Sequence, residues 1–142
     1  MINKIFIYGT LHHSMGNRYS RFLERNAQYM GVATKKGKLF NIGRYPGAVK
    51  SHNPEDKIKG YLYSVEDIEH LLNTLDEYEG YDKSSPNQSL FKRERVLVED
   101  KNNKKHLAWI YWYNKPTDEK KEIDRGDFLA FRERKVKNKI VA

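Results

Sequence analysis

Apolar residues recur at helical spacing in one clear stretch of the chain, between Val65 and Glu79. At about 100° per residue, its apolar side chains gather on one face: Val65, Ile68, Leu71, Leu72, Leu75 and Tyr78. Ser64 is placed to cap the start of this segment, acidic residues follow in its first turn, and Gly80 is placed to end it. The pattern predicts an amphipathic helix packed against a core.

Short apolar runs bounded by Gly, Pro and polar residues predict strands on both sides of this helix. The predicted extended segments are residues 5–7, 29–34, 37–41, 48–50, 58–65, 91–98 and 106–113. A shorter helix is predicted over 17–28, with Asn17 as its cap. The segments 91–98 and 106–113 are joined by a polar turn, which predicts a hairpin.

The second strand of that hairpin carries large apolar residues on both faces. Trp109, Tyr111 and Tyr113 share one face, and Ile110 and Trp112 share the other. Such a strand is expected to be covered on both sides.

The length of 142 residues fits a single domain. We assign that domain to residues 1–131, with a last turn or edge segment at 123–131, and assign 132–142 to a basic C-terminal tail. The chain has no cysteine, which excludes thiol chemistry and zinc sites built on cysteine. No apolar run approaches the ~20 residues of a membrane span, so a cytoplasmic protein without a membrane partner is expected.

The net charge of +8 raises the possibility of nucleic-acid binding. The basic residues concentrate in loops and in the tail, so a solvated surface is the favoured interpretation. The histidines are scattered, and the adjacent pair His12 and His13 points apart in an extended chain. No metal site is therefore predicted.

A glycine loop, Tyr8-Gly9-Thr10-Leu11, follows the first predicted strand. A chain that leaves a strand through Gly can direct several N–H groups to one point, which creates a site for an anion or a carbonyl group. The same pattern also occurs in plain turns. The spacing of a P-loop or a dinucleotide fingerprint is absent, so nucleotide phosphate is an improbable ligand.

Glu79 occupies a position where the helical period calls for an apolar side chain. Asp76 lies at the edge of the apolar face, and Glu77 points nearly opposite. A carboxylate turned toward the core loses hydration, which raises its pKa and suits a general base. The alternative is that the helix ends earlier and that Glu79 turns to solvent or pairs with a basic residue.

The loop Tyr8–Leu11 and the segment Leu75-Asp76-Glu77-Tyr78-Glu79-Gly80-Tyr81 together resemble the signature of the gamma-glutamylcyclotransferase-like family. The resemblance is to its gamma-glutamylamine cyclotransferase and avirulence-induced-gene-like branch. Further matching pieces follow in the family's order: residues 45–49, 58–63, 93–96, 108–111 and 123–128. The family's fold implies an α+β domain whose mixed β-sheet curls into a small barrel with flanking helices.

The resemblance implies a reaction in which the α-amine of a gamma-glutamyl amine or peptide attacks its own γ-carbonyl and releases 5-oxoproline. It assigns Glu79 as the general acid and base, and Tyr8, Gly9, Thr10 and Leu11 as substrate-binding residues. Nucleophile and electrophile belong to one molecule, so no cofactor is expected. The alternative is a non-catalytic module of the same fold that binds a small carboxylate or has a regulatory role.

Four further residues are left outside the predicted site. Tyr45 and Tyr113 are possible pocket residues, but they are left out because aromatic strand residues are more often core than functional. Arg93 and Arg95, on one face of a strand, could bind a substrate carboxylate, but a position opposite acids on a neighbouring strand is favoured.

Overall fold

The computed structural model describes residues 2–12 and 15–141, with side chains described as far as residue 135. The strands are β1 (Lys4–Ile7), β2 (Gln28–Lys36), β3 (Lys38–Asn41), β4 (Pro46–Val49), β5 (Lys57–Ser64), β6 (Phe91–Asp100), β7 (Lys105–Tyr113) and β8 (Lys121–Ile123). The helices are α1 (Arg18–Asn26), α2 (Ile68–Glu79) and α3 (Phe128–Val141). Short 3₁₀ turns lie at Pro86–Gln88 and Asp124–Gly126.

Five strands close into a barrel in the order β1-β5-β2-β6-β7. Closure depends on β1, which pairs antiparallel with β5 and parallel with β7, so that Ile5 lies opposite both Tyr63 and Trp109. A smaller sheet has the order β4-β3-β8. The predicted fold class is confirmed: an α+β protein with a mixed sheet closed into a small barrel.

The buried side chains form two groups, one on each side of the barrel wall. The first includes Phe6, Ile110 and Trp112. The second includes Tyr111 and Leu75, together with the buried residues of α2. Since β7 contributes to both groups, the expectation that this strand is covered on both faces is confirmed.

Helix α2 begins later than the sequence pattern predicts. Ser64 is the last residue of β5, where it pairs with Lys4 and Gln28, so it cannot cap the helix. Asp67 is the cap instead, and its Oδ1 accepts a hydrogen bond of 3.2 Å from the N–H of His70. The predicted end is confirmed, because Gly80 adopts a left-handed conformation with φ of 65°.

Two other element boundaries also differ from the prediction. Asn17 caps α1 as expected, through a 2.8 Å hydrogen bond from the N–H of Ser20, but α1 ends at Asn26 because Gln28 already pairs in β2. The segment 123–131 contains the end of β8, a 3₁₀ turn and the first residues of α3.

The limit between domain and tail at residue 131 stays a prediction. Helix α3 crosses it and continues to Val141 without a break in secondary structure. Ala142 lies outside the described residues, as do the side chains of 136–141. Within residues 2–12 and 15–141, no helix has the length and apolar character needed to cross a bilayer.

Gly126 occupies a position that excludes a side chain. Its φ is 59°, and a Cβ there would overlap the carbonyl oxygen of Lys57. We expect Gly126→Ala to lower the free energy of unfolding by about 2–6 kcal/mol, from left-handed strain and overpacking together. Gly16→Ala is the matched control, since Gly16 has a φ of 67° but open space around it. Equal losses for the two variants in urea denaturation would contradict the proposed overlap.

Candidate active site

A pocket of about 170 Å³ lies between the loop after β1 and the C-terminal end of α2. All five predicted site residues line it: Tyr8, Gly9, Thr10, Leu11 and Glu79. Its other walls include Tyr45, Pro46, Tyr78, Leu90, Phe91 and Tyr111. The structure thus brings the predicted loop and the predicted acid to one cavity, while their roles in binding and catalysis stay predictions.

All four residues of the loop line this pocket. A Cβ on Gly9 would lie 2.6 Å from Cγ of Pro46, so only glycine allows the loop to pack this closely against β4. Two of the loop's carbonyl groups are occupied, because Gly9 O accepts from the N–H of His12 and Thr10 O accepts from Nδ2 of Asn17. Among the described residues, the N–H groups of Gly9, Thr10 and Leu11 donate no turn or loop hydrogen bond. Within that part of the chain, these donors are therefore available to a ligand.

The side chain of Tyr8 holds the loop in place. Its hydroxyl donates a 2.6 Å hydrogen bond to the carbonyl oxygen of Tyr111 and accepts one of 3.3 Å from the N–H of Ala48. Burial, together with the nearby charge of Glu79, raises the pKa of Tyr8 well above its ordinary value. The phenol of Tyr8 is thus engaged in structural hydrogen bonds.

A second hydrogen bond joins the loop to α2. The hydroxyl groups of Thr10 and Tyr78 lie 2.6 Å apart, and the ring of Tyr78 packs against Tyr19 at 4.4 Å between centroids. This contact fixes the separation of the loop from Glu79, the residue that follows Tyr78.

We expect Thr10→Val and Tyr78→Phe each to lower the free energy of unfolding by about 0.5–1.5 kcal/mol, the net value of one hydrogen bond. The double variant is expected to lose little more than either single variant, since both remove the same bond. Thr10→Ser, which keeps the hydroxyl, is the control. Additive losses in urea denaturation would show that the two hydroxyl groups act independently.

Glu79 lies at the last position of α2 and borders the pocket while keeping part of its surface accessible. Burial, followed by the neighbouring carboxylate of Asp76, raises its pKa from 4.5 to about 8. The helix extends through Glu79, so the alternative in which the helix ends earlier is wrong. A carboxyl group with such a pKa can accept and return a proton near neutral pH.

A charged cluster that sequence analysis missed lies beneath Glu79. Asp76 accepts hydrogen bonds from Nε of Arg93 at 2.8 Å, from Nη2 of Arg93 at 3.1 Å and from the hydroxyl of Tyr111 at 2.6 Å. Arg93 pairs with an acid, as favoured, but that acid lies on α2, so the predicted partner on a neighbouring strand is wrong. The position of Asp76 at the edge of the apolar face was the one signal in the sequence.

The two tyrosines left outside the predicted site differ in location. Tyr45 is partly buried against the cluster that contains Leu75 and Phe91, and it also lines the pocket, so leaving it outside the site is wrong. It lies in the turn before β4, and that turn reaches the cavity only because β4 pairs with β3. Tyr113 packs against Phe91 with 5.4 Å between ring centroids and is partly buried against the same cluster. No group of side chains suited to hold a metal occurs within residues 2–12 and 15–141.

Residues 5–130 match the family described as gamma-glutamyl cyclotransferase, AIG2-like. The chain is 29% identical over 127 residues to the gamma-glutamylcyclotransferase family protein YtfP of Escherichia coli strain K12, covering 89% of this chain and 96% of YtfP. YkqA of Bacillus subtilis shares the fold, with a TM-score of 0.72 at 23% identity over 96% of this chain and 43% of that longer protein. An AIG2-like protein from Mus musculus shares it with a TM-score of 0.64 at 19% identity, over 83% of this chain and 81% of that one. The chain therefore belongs to the gamma-glutamyl cyclotransferase, AIG2-like family.

Proposed function

We propose that this protein is a cyclotransferase that converts a gamma-glutamyl amine or gamma-glutamyl peptide to 5-oxoproline and the free amine. The observation that carries the proposal is the pairing, across one small pocket, of Glu79 with a glycine loop whose N–H groups are available. An acid with a raised pKa supports the base function, and clustered N–H groups support binding of a carboxylate or an oxyanion.

The proposed reaction forms one C–N bond and breaks another. The α-amine nitrogen of the substrate attacks the γ-carbonyl carbon and closes a five-membered ring, while Glu79 takes a proton from that nitrogen. The tetrahedral intermediate then expels the original amine, which receives the proton from Glu79. Because the substrate supplies the nucleophile, the protein supplies a folded substrate conformation, a base and hydrogen-bond donors.

The properties of the pocket agree with these demands. Its volume of about 170 Å³ is below the roughly 300–1,000 Å³ of pockets for drug-sized ligands, so it suits a group the size of an amino acid. The pKa of Glu79, about 8, is far closer to that of an amine than the ordinary value for Glu is. Proton exchange between Glu79 and the substrate's amine therefore costs less free energy than it would with an exposed Glu.

The proposal is tested by incubating the protein with a panel of gamma-glutamyl amines and gamma-glutamyl dipeptides and measuring 5-oxoproline by mass spectrometry. Production of 5-oxoproline above the rate of uncatalysed cyclisation from at least one compound is expected. Saturable binding of these compounds without any product would contradict the enzymatic proposal and select a non-catalytic carboxylate-binding module.

The pH dependence of the reaction follows from the pKa of Glu79. The base must be ionised to act, and its ionised fraction rises with pH through about 8. We therefore expect kcat/KM to increase tenfold per pH unit well below pH 8 and to level off above it. A pH profile of kcat/KM measured on one gamma-glutamyl amine checks this. An apparent pKa near 4.5, the ordinary value for Glu, would contradict it.

A further inference from the structure

Asp76 is enclosed by hydrogen-bond donors one helical turn before Glu79. Only 6% of its surface is exposed. Two of the three side-chain hydrogen bonds to its carboxylate come from the Arg93 guanidinium, and the third comes from the Tyr111 hydroxyl. Positions three apart on a helix lie on the same side, so Asp76 and Glu79 both face the barrel side of α2.

Arg93 is itself tightly enclosed. Its guanidinium carbon lies 4.5 Å from the ring centroid of Trp109 and 5.3 Å from that of Tyr81. Its side chain is 10% exposed, and that of Asp76 is 8% exposed. A buried ion pair costs much desolvation energy and adds little net stability compared with well-packed apolar residues. Its location beneath a proposed catalytic acid therefore indicates a role in the site.

Tyr111 connects this ion pair to the opposite wall of the pocket. Its hydroxyl donates to Asp76, its carbonyl oxygen accepts from the hydroxyl of Tyr8, and its side chain lines the cavity. Asp76 is thus linked through one residue of β7 to the loop that follows β1. The end of α2 and the glycine loop are held in one hydrogen-bonded chain.

We propose that Asp76, fixed by Arg93 and Tyr111, is the positioning residue of Glu79 and orients the end of α2 toward the loop. The negative charge of Asp76 also raises the pKa of Glu79, so the two carboxyl groups are coupled. The part of this inference that concerns catalysis rests on the proposed function, whereas the coupling between the two carboxyl groups does not. Asp76 acts through Glu79 and does not line the pocket.

Asp76 is the charged group that acts directly on Glu79 in this arrangement. The other titratable groups that interact with Glu79 are phenols from the surrounding elements: Tyr8 after β1, Tyr45 before β4, Tyr78 on α2 and Tyr111 on β7. Burial is the largest cause that raises the pKa of each phenol, so they stay neutral where Glu79 titrates. Arg93 forms its ion pair with Asp76.

The coupling is tested by a ¹³C NMR titration of the Glu79 carboxyl carbon, with its resonance assigned by its loss in Glu79→Gln. Asp76→Asn removes the charge and keeps an oxygen acceptor for Tyr111, and we expect it to lower the titration midpoint of Glu79 by about one unit or more. Glu77→Gln is the matched control, because Glu77 is an exposed acid on the same helix, and it is expected to leave the midpoint unchanged. An unchanged midpoint in folded Asp76→Asn would overturn the proposal.

Two further experiments test the coupling if Asp76→Asn does not fold. If Asp76→Asn fails to fold, Asp76→Asn/Arg93→Gln removes both charges and is expected to lower the midpoint in the same direction. Titration of the unsubstituted protein does not depend on the folding of any Asp76 variant, and a Glu79 midpoint near 4.5 there would overturn the coupling.

The positioning role is tested by measuring kcat and KM for the formation of 5-oxoproline. In Asp76→Asn, kcat above pH 9 is expected to decrease by about tenfold or more while KM changes little, since Asp76 does not touch the substrate. A raised KM with unchanged kcat would overturn the positioning role. Absence of turnover in the unsubstituted protein would instead reject the proposed function, while the NMR titration would still decide the coupling.

Discussion

Replacing Glu79 with Gln is expected to lower the rate of 5-oxoproline formation by about 10²–10⁴-fold, the usual contribution of a general base. The amide keeps the shape of the side chain but cannot accept the proton that the attacking α-amine nitrogen loses. Binding of a gamma-glutamyl compound is expected to persist, because the loop donors Gly9, Thr10 and Leu11 are untouched. Initial rates by mass spectrometry and affinities by calorimetry separate the two effects.

The loss of activity in Glu79→Gln is not expected to come from unfolding. The pKa of Glu79 is higher in the folded protein than in the unfolded chain, so its ionisation on raising the pH from 4.5 to about 8 destabilises the folded state. Gln does not ionise, so the variant is expected to match or exceed the unsubstituted protein in melting temperature at pH 8. Glu77→Gln is the control with full activity. Turnover by Glu79→Gln at the unsubstituted rate would remove Glu79 from the mechanism.

Replacing Arg93 with Met is expected to lower the free energy of unfolding by about 3–5 kcal/mol, the cost of leaving a buried charge without its partner. Met keeps the apolar part of the Arg93 side chain, so the lost stability comes from the unpaired charge of Asp76. That carboxylate would keep only the hydroxyl of Tyr111 as a side-chain donor. Urea denaturation at pH 7 measures the loss.

Two matched variants show whether the lower stability of Arg93→Met comes from the unpaired buried charge. Asp76→Asn/Arg93→Met removes both charges and keeps an acceptor for Tyr111, so it is expected to recover much of the stability. Lys50→Met breaks the exposed pair of Lys50 and Glu94, whose side chains are 64% and 46% exposed, and is expected to cost about 0–1 kcal/mol. A loss for Arg93→Met as small as that for Lys50→Met would contradict the burial of the Asp76–Arg93 pair.

The sequence predicted the structure best in α2, where a periodic apolar pattern coincides with burial. The apolar positions of α2 predict its buried face, and the same period places Glu79 toward the cavity, because a helix that packs on a barrel must turn one face inward. Gly80 marks the helix end for a local reason, since it provides the left-handed conformation at that position. The barrel and the pairing of Glu79 with the Tyr8–Leu11 loop came from resemblance to a family, since the two segments are far apart in sequence.

Contacts between distant parts of the chain account for what the sequence did not predict. Ser64 and Asp67 are both good capping residues, and pairing of Ser64 with Lys4 and Gln28 decides between them. The bond from Arg93 to Asp76 spans 17 positions, and neither residue carries a local signal for the other. Tyr45 reaches the pocket from a turn whose direction depends on the pairing of β3 with β4.

We propose that Glu79 and the N–H groups of residues 9–11 bind the same small molecule from opposite walls of one pocket. A crystal structure of the protein with 5-oxoproline would show whether they do. The claim predicts the ring N–H of 5-oxoproline within about 3.2 Å of a Glu79 carboxyl oxygen, and its carboxylate or carbonyl oxygen on N–H groups of the loop. Binding of 5-oxoproline elsewhere, with Glu79 turned to solvent and the loop unoccupied, would contradict it.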